Sequence, residues 1–306
     1  MKSNGVAVAL GTFDGLHKGH MSVLNAALSF ENLTPVVVTF QEPPKRKTTD
    51  EFVPMLLSSE EKISRLKKIG FKEIFVLDYD EVHDLSPIDF LDMLFEKYEV
   101  RAVVCGFNYR FGKGGQGDAL FLSDYCRQHN AESVIVPDFT VSGQTVSSSR
   151  IRELIKSGDV SFANMLLGYP YSVTNEVIHG EERGRKMGFP TVNIPLDENL
   201  VLPKFGVYAS SVVIDGKNYA AVTNIGIRPT FLLKKPISET YIIDFDGDVY
   251  GKTVTVKLLK YIREEKCFDG LDSLKQAIEE DKKISAGVFR DNVAKMHCTE
   301  SKGEEL

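Results

Sequence analysis

Residues 6–20 read VAVALGTFDGLHKGH, and they indicate the fold class of the N-terminal half. The run Val6–Leu10 is continuously apolar, as expected of a strand that is buried on both faces of a parallel sheet. A turn with two glycines follows the run, and a helix is expected beyond the turn. His17 and His20 are three residues apart, so at the start of that helix they would share one face.

The start of this expected helix is a favourable place for a phosphate group. Free backbone N–H groups and the positive end of the helix dipole both attract an anion there. Two imidazoles at the same position can donate hydrogen bonds to phosphate oxygens as charge builds during transfer. His17 and His20 are therefore predicted to act in phosphate chemistry. The alternative is a capped helix start that carries two solvated histidines.

The same alternation of strand and helix continues to about residue 165. Continuous apolar runs of strand type lie at Val6–Leu10, Pro35–Phe40, Glu73–Leu77, Ala102–Gly106 and Ser133–Val136. Amphipathic helical runs lie between them at Ser22–Ser29, Ser58–Ile69, Pro87–Tyr98 and Ala119–His129. This order predicts an α/β fold with a Rossmann-like parallel sheet, whose ligands bind outside the carboxyl ends of the strands.

From about Tyr169 the pattern becomes one of strands without intervening helices. The strand runs are Tyr171–Val177, Val207–Ile214, Asn218–Asn224, Ser238–Phe245 and Thr253–Ile262. Residues 215–217 and 245–248 have the turn chemistry of hairpins. A helical run, Leu271–Val288, precedes a polar tail from His297 that is expected to fray. The sequence predicts a small antiparallel barrel with a C-terminal helix, and domains at 1–167 and 168–306.

Charge and cysteine content limit the class of protein. Among 306 residues, Lys and Arg number 37 and Asp and Glu number 43, giving a net charge of −6. That balance argues against non-specific binding to nucleic acid or to an anionic membrane. The first apolar run is too short for a signal peptide, and no later run approaches membrane length. The cysteines are scattered, without a C-x-x-C pair, and we expect reduced thiols in a cytoplasmic protein (Cys105, Cys126, Cys267 and Cys298).

Two further segments of the N-terminal half suggest ligand binding. Residues 147–152 read SSSRIR, in which hydroxyls at a helix start precede two arginines, a combination suited to a triphosphate. The alternative is an ordinary N-cap before a basic helix. Residues 112–117 fit the dinucleotide pattern G-x-G-x-x-G, but we reject that interpretation because the preceding strand ends too early and is the fourth rather than the first. A glycine-rich surface loop is the alternative there.

Residues 179–194, HGEERGRKMGFPTVNI, are the distinctive segment of the C-terminal half. The glycines permit a flap whose backbone can approach phosphates. Thr191 and Asn193 offer hard oxygen ligands on one side of an extended segment, which suits Mg²⁺. A glycine-rich hairpin followed by an edge strand is the alternative.

Together these motifs resemble those of the bifunctional bacterial riboflavin kinase/FAD synthetases. Residues 11–20 resemble the nucleotidyltransferase signature H-x-G-H, and residues 147–152 match S-S-T-x-I-R with Ser149 in place of Thr. Residues 106–112 resemble G-F-[DN]-[FY]-R-F-G, residues 180–193 resemble G-x-x-x-G-R-x-x-G-F-P-T-x-N, and residues 239–245 resemble E-x-x-x-L-D-F. Residues 224–231 resemble another segment that lines the flavin and nucleotide site. One departure is residues 40–44, FQEPP, where the family commonly has F-x-P-H-P.

The resemblance implies a set of roles for individual residues. In the adenylyltransferase domain, His17 and His20 are catalytic, and ATP and flavin bind to Gly11, Phe13, Asp14, Gly15, Asn108, Arg110, Ser148, Ser149 and Arg152. In the kinase domain, Glu239 is the general base that takes the proton of the ribityl 5′-hydroxyl. ATP and flavin bind there to Gly180, Gly184, Arg185, Gly188, Thr191, Asn193 and Arg228, and Mg²⁺ binds to Thr191 and Asn193.

The implied activity has two steps. Riboflavin is phosphorylated by ATP to FMN, and FMN then receives an adenylyl group from a second ATP to give FAD and pyrophosphate. The expected partners are riboflavin, FMN and ATP, without nucleic acid or membrane, in a monomer or weak homo-oligomer. Three alternatives stay open: a single live activity, a nucleotidyltransferase with another phosphorylated acceptor, or a flavin-binding regulatory or RNA-associated protein without turnover.

Overall fold

The computed structural model describes residues 5–48, 52–179, 189–229 and 234–300. The chain divides into two compact units, Met1–Arg150 and Ile151–Leu306. Within the described ranges, no helix is both long enough and apolar enough to cross a bilayer.

The first unit is built on a five-stranded parallel sheet. Its strands are β1 (Val6–Leu10), β2 (Thr34–Phe40), β3 (Glu73–Leu77), β4 (Val100–Gly106) and β5 (Glu132–Val136). Their order across the sheet is β3-β2-β1-β4-β5. The direction of winding reverses between β1 and β4, and in such sheets the ligand crevice opens at the carboxyl ends of these two strands. The predicted Rossmann-like sheet is confirmed.

Helices connect these strands and begin at local sequence signals. They are α1 (Lys18–Leu28), α2 (Lys45–Thr48), α3 (Ser59–Ile69), α4 (Tyr79–Val82), α5 (Pro87–Lys97) and α6 (Ala119–Gln128). In α5, Ser86 and Asp89 form a capping box around Pro87, so three adjacent signals fix where the helix begins. The short strands β6 (Thr140–Val141) and β7 (Gln144–Thr145) pair as a hairpin.

The second unit contains a six-stranded antiparallel sheet that almost closes on itself. Its strands are β8 (Ser172–Glu176), β9 (Thr191–Pro195), β10 (Gly206–Ile214), β11 (Lys217–Pro229), β12 (Lys234–Ile242) and β13 (Thr253–Arg263). The strand order is β8-β13-β10-β11-β12-β9. β8 and β9 are the two edge strands of this sheet. The Ile178 N–H, just after β8, donates to the carbonyl of Asn193 in β9 at 2.9 Å and so links the two edges. The predicted small barrel is therefore confirmed.

Helices flank the barrel. The border between the units lies within α7 (Ser148–Ser157), and α8 (Val160–Leu167) follows it. The Asn164 side-chain amide donates to the Leu258 carbonyl of β13 at 2.8 Å, so α8 packs within the second unit. The division at 167/168 that the sequence suggests stays a prediction.

The C-terminal helix α9 (Leu271–Glu300) packs against β10, β11 and β13. Arg263 of β13 donates two hydrogen bonds to Asp281 of α9, Nε to Oδ1 at 3.1 Å and Nη2 to Oδ2 at 2.7 Å. The helix extends to Glu300, past the end at Val288 that the sequence indicates, because no glycine or proline interrupts it after Gly287. The expected fraying from His297 stays a prediction. Residues 301–306 lie outside the described ranges.

One predicted hairpin is absent from the described range 234–300. The turn chemistry of residues 245–248 suggests that β12 and β13 pair, but β12 pairs with β11 and β9, whereas β13 pairs with β10 and β8. Turn residues specify a local bend, whereas the partner of a strand is set by closure of the whole barrel. The first predicted hairpin, β10 to β11, is confirmed, and its turn residues Asp215 and Gly216 both have positive φ.

Candidate active sites

The turn between β1 and α1 is the centre of the first site. Phe13, Leu16 and Gly15 have φ values of +49°, +41° and +84°, so the chain turns tightly through the left-handed region. The buried carboxylate of Asp14 accepts a hydrogen bond from the Leu56 N–H at 2.9 Å. This bond ties the turn to the segment before α3. No pattern in the sequence indicates this partner, which lies 42 residues away.

His17 and His20 lie together, as expected from their spacing. His17 is the N-cap of α1, and its Nδ1 accepts the His20 N–H at 3.2 Å. The two rings stack with centroids 3.6 Å apart and planes 14° apart, and the Phe13 ring meets His20 edge-on at 5.4 Å. Because Nδ1 of His17 accepts, a neutral His17 carries its proton on Nε2 and can donate it to a ligand. The helix begins at Lys18, four residues before the Ser22 start that the sequence indicates.

The protonation state of His20 follows from its surroundings. Burial lowers the pKa of His20 well below its usual 6.5, and the nearby charges of His17 and Lys62 lower it further. Its Nδ1 is buried and has no hydrogen-bond partner within the described part of the chain. At neutral pH His20 is therefore an uncharged imidazole. Such a group can stabilise developing charge by donating a hydrogen bond.

Lys62 of α3 is a buried residue beside this turn that the sequence interpretation missed. The helix follows the Ser58 cap as predicted, but Lys62 is only 4% exposed. Its Nζ donates to the carbonyls of Phe40, Thr12 and Gln41 at 2.5, 3.4 and 3.5 Å. Burial lowers the pKa of Lys62 to about 8. The available signal was its position four residues before Leu66, which places a lysine on the apolar face of the helix.

The start of α7 contacts the same turn. The Ser148 hydroxyl donates to the Asp14 carbonyl at 2.9 Å, and the Ser147 hydroxyl accepts the Arg150 N–H at 3.3 Å. Ser149 is exposed. Of the predicted serines, the structure therefore brings Ser148 to the histidine turn.

Arg152 is buried on α7 and belongs to the second compact unit.

The loop after β4 emerges beside this turn, since β4 is hydrogen-bonded to β1. Asn108 and Arg110 are both exposed there, and Arg110 pairs with Asp118 at 3.5 Å. Phe111 and Gly117 exchange backbone hydrogen bonds and close the loop at its base. Residues 112–117 thus lie within a closed loop and not in a tight turn directly after the strand, since β4 ends at Gly106, which agrees with rejecting the dinucleotide pattern.

The second site is a row of polar side chains across three strands of the barrel. Glu239 of β12 is directly opposite Asn193 of β9 on one side and Asn224 of β11 on the other. Directly paired residues point to the same face of a sheet, and so does Thr191, two residues before Asn193. Asn193 is buried, and the Asn224 amide donates to Glu265 at 2.8 Å. The predicted base and the predicted metal ligands therefore share one face.

The donor set of this face suits a hard cation. Thr191, Asn193 and Glu239 offer hydroxyl, amide and carboxylate oxygens, the ligands that Mg²⁺ prefers. Among the described residues, no three His, Cys, Asp or Glu side chains are grouped to hold a metal ion. Gly180, Gly184, Arg185 and Gly188 lie outside the described residues. Arg228 is described as backbone of β11, paired with Lys235.

Comparison with known protein families gives two matches that together cover most of the chain. A FAD synthetase family model matches residues 1–150. A riboflavin kinase family model matches residues 167–289. The first matched range contains the first site, and the second contains the second site. Most of α8 lies between the two ranges.

Individual relatives match along nearly the whole chain. The bifunctional riboflavin kinase/FMN adenylyltransferase of Bacillus subtilis (strain 168) is 36% identical over 291 residues, which is 92% of each chain. The protein of the same name from Escherichia coli (strain K12) is 32% identical over 292 residues, which is 93% of each chain. The crystal structure of a Streptococcus pneumoniae protein described as a macrolide-efflux protein has a TM-score of 0.85, with 33% sequence identity, and the match covers 94% of this chain and 95% of that one.

Proposed function

The chain belongs to the bifunctional riboflavin kinase/FMN adenylyltransferase family, and from this premise we propose that it makes FMN in its barrel and FAD in its Rossmann-like unit. The observation that carries the proposal is the stacked pair of His17 and His20 where the winding of the parallel sheet reverses. We assign the adenylyltransferase domain to residues 1–167 and the kinase domain to residues 168–306.

In the kinase step, Glu239 accepts the proton of the ribityl 5′-hydroxyl while the oxygen attacks the γ-phosphorus of ATP. ADP leaves with the electron pair of the broken bond. Thr191 and Asn193 would hold Mg²⁺, since their side chains share a face with Glu239. When bound, the ion neutralises charge on the ATP phosphates. Gly180, Gly184, Arg185, Gly188 and Arg228 are assigned to ATP and flavin binding on the motif alone.

In the adenylyltransferase step, an FMN phosphate oxygen attacks the α-phosphorus of a second ATP, and pyrophosphate leaves. His17 donates from Nε2, and neutral His20 adds a second hydrogen bond to the phosphate oxygens. The reaction needs no covalent enzyme intermediate, because positioning and charge stabilisation suffice for transfer of this kind. The other proposed binding residues are Gly11, Phe13, Asp14, Gly15, Asn108, Arg110, Ser148, Ser149 and Arg152.

The proposal extends to the surroundings of the enzyme. Its partners are riboflavin, FMN and ATP, and it works in the cytoplasm as a monomer or weak homo-oligomer. A net charge of −6 supports the absence of nucleic acid from this list, because RNA binding normally needs a basic surface.

The test separates the two sites within one chain. Purified protein receives riboflavin, ATP and Mg²⁺, and the flavins are separated by chromatography over time. His20→Ala is expected to accumulate FMN, with FAD formation lowered roughly 10²- to 10³-fold. Glu239→Gln is expected to lower FMN formation roughly 10²- to 10⁴-fold, yet to convert supplied FMN to FAD at the wild-type rate.

Matched controls are available in both units. His83→Ala removes an exposed imidazole of the first unit, and Glu198→Gln neutralises an exposed carboxylate of the second. Both controls are expected to make FMN and FAD normally. If either site variant loses both products while remaining folded, the assignment of two separate sites is wrong.

A further inference from the structure

Lys62 has no role in the two reactions as assigned above, although it is the buried cation next to the histidine turn. Its ammonium group is covered by protein, and the acceptors that it reaches among the described residues are backbone carbonyl oxygens. In the described part of the chain, no carboxylate oxygen lies within ion-pair distance of its Nζ. The charge of Asp14 favours the protonated form, but one Asp14 oxygen already binds the Leu56 N–H.

A buried lysine at this position lowers the stability of the fold relative to an apolar side chain. Burying an ammonium group is unfavourable unless hydrogen bonds and nearby charge compensate it. An apolar side chain at position 62 would pack beside Leu66 on the same face of α3 without that cost. A lysine at this position therefore indicates that its charge or its three N–H donors have a function.

The hydrogen-bond acceptors of Lys62 show which part of the sheet its ammonium group contacts. Thr12 belongs to the turn after β1, and Phe40 and Gln41 form the end of β2 and the residue after it. These are the carboxyl ends of neighbouring parallel strands, the edge at which ligands of doubly wound sheets bind. The Thr39 hydroxyl also donates to the Thr12 carbonyl at 2.9 Å, so this carbonyl accepts hydrogen bonds from both Thr39 and Lys62.

We propose that Lys62 is a positioning residue of the adenylyl-transfer site, which locks the turn after β1 to the end of β2 and supplies fixed positive charge behind His20 for the ATP phosphates. The proposal rests on the placement of that site at His17 and His20. The influence of the Lys62 charge on His20 supports this placement, because it requires the two side chains to be near each other. A pKa of about 8 leaves most of the amine protonated at neutral pH.

The experiment compares four substitutions in the full chain. Lys62→Met removes the charge at similar length, Lys62→Gln keeps N–H donors without charge, and Lys62→Arg keeps the charge. Lys67→Met is the matched control, an exposed lysine of the same helix. FAD formation from FMN and ATP gives kcat and KM, and FMN formation by the same preparation serves as the internal reference.

We expect Lys62→Met and Lys62→Gln to lower kcat/KM for FAD formation roughly 10²-fold, and Lys62→Arg to recover at least about tenfold of that loss. FMN formation is expected to stay within about twofold in every variant. The pKa of His20, followed by NMR of its ring protons, is expected to rise in Lys62→Met and Lys62→Gln and to stay constant in Lys67→Met.

Two results would overturn the role of Lys62. One is wild-type FAD formation in Lys62→Met; the other is equal impairment in the Gln and Arg variants, which would mean that shape matters and charge does not. If Lys62→Met does not fold, the Gln and Arg comparison still decides. His20→Ala is assayed alongside: if it makes FAD normally, the proposed site is wrong, whereas an impaired His20→Ala with a normal Lys62→Met rejects only the lysine.

Discussion

Gly15 lies where the turn carrying the histidines packs closely against Leu56. Its φ is +84°, and a Cβ placed on it would lie 2.6 Å from Cδ1 and 3.0 Å from Cβ of Leu56. Leu56 is 2% exposed and has little room to move. Its N–H also donates to Asp14, so a shift of Leu56 pulls on the turn itself. Gly15→Ala is therefore expected to affect both stability and FAD formation.

The expected loss in free energy of unfolding has two parts, a conformational cost and a packing cost. Gly143→Ala measures the conformational cost by itself. Gly143 has φ +73°, but a Cβ added to it would meet nothing within 4 Å, so alanine there carries only the conformational cost, roughly 1 kcal/mol. Gly15→Ala carries the same cost plus roughly 1–3 kcal/mol for overpacking against Leu56. The total expected at Gly15 is about 2–4 kcal/mol. Displacement of the turn by about 1 Å would also lower FAD formation by up to about 10²-fold.

The assay follows urea unfolding of the full chain by hydrogen exchange and mass spectrometry, using peptides from β1 and β2 to report on the first unit. FMN and FAD formation are measured on the same samples, and FMN formation is expected to stay within about twofold. Equal free energies of unfolding in Gly15→Ala and Gly143→Ala would contradict this prediction, because the close approach to Leu56 would then impose no constraint.

Two further predictions concern charged groups. The pKa of folded His20 lies below 6.5, so between those two values the unfolded chain binds a proton that the folded chain does not. The free energy of unfolding of the first unit should therefore fall as pH drops through this window, and His20→Asn should flatten that dependence in urea titrations at a series of pH values. Asp281→Ala leaves Arg263 without its two-bond partner and is expected to cost the second unit about 3 kcal/mol, since Asp281 is buried while Arg263 keeps some solvent contact. Glu279→Ala, which removes an exposed partner of Lys282, is the control and should cost at most about 0.5 kcal/mol; equal losses in both would contradict the role of burial.

Local patterns in the sequence predicted most elements of the fold. Val6–Leu10 is apolar at every position and is a central strand, and the capping residues before α3 and α5 fix where those helices begin. The spacing of His17 and His20 predicted their proximity, but not that His17 itself caps the helix. These successes share one cause, since each depends on residues close together in the chain.

The features that the sequence did not reveal depend on distant residues. Packing of the whole unit sets three such features. They are the hydrogen bond from the Leu56 N–H to Asp14, the backbone carbonyls around the Lys62 ammonium group, and the strand partners of β13. A lysine in an amphipathic helix is usually exposed, and only its position beside Leu66 argued otherwise. The hairpin predicted at residues 245–248 is wrong for the same reason, because closure of the barrel, and not the turn chemistry, sets the partners of β12 and β13.

The capping role of His17 has a genetic consequence. Asparagine and aspartate are better N-caps than most residues, and a histidine codon is one base away from a codon for either. A single base change at this position therefore keeps the start of α1 intact while it removes an imidazole from the ring stack. If His17 has the proposed role in adenylyl transfer, a descendant that folds normally, still makes FMN and makes little FAD is thus one mutation away, so loss of a single activity can arise and persist without the protein being cleared as misfolded.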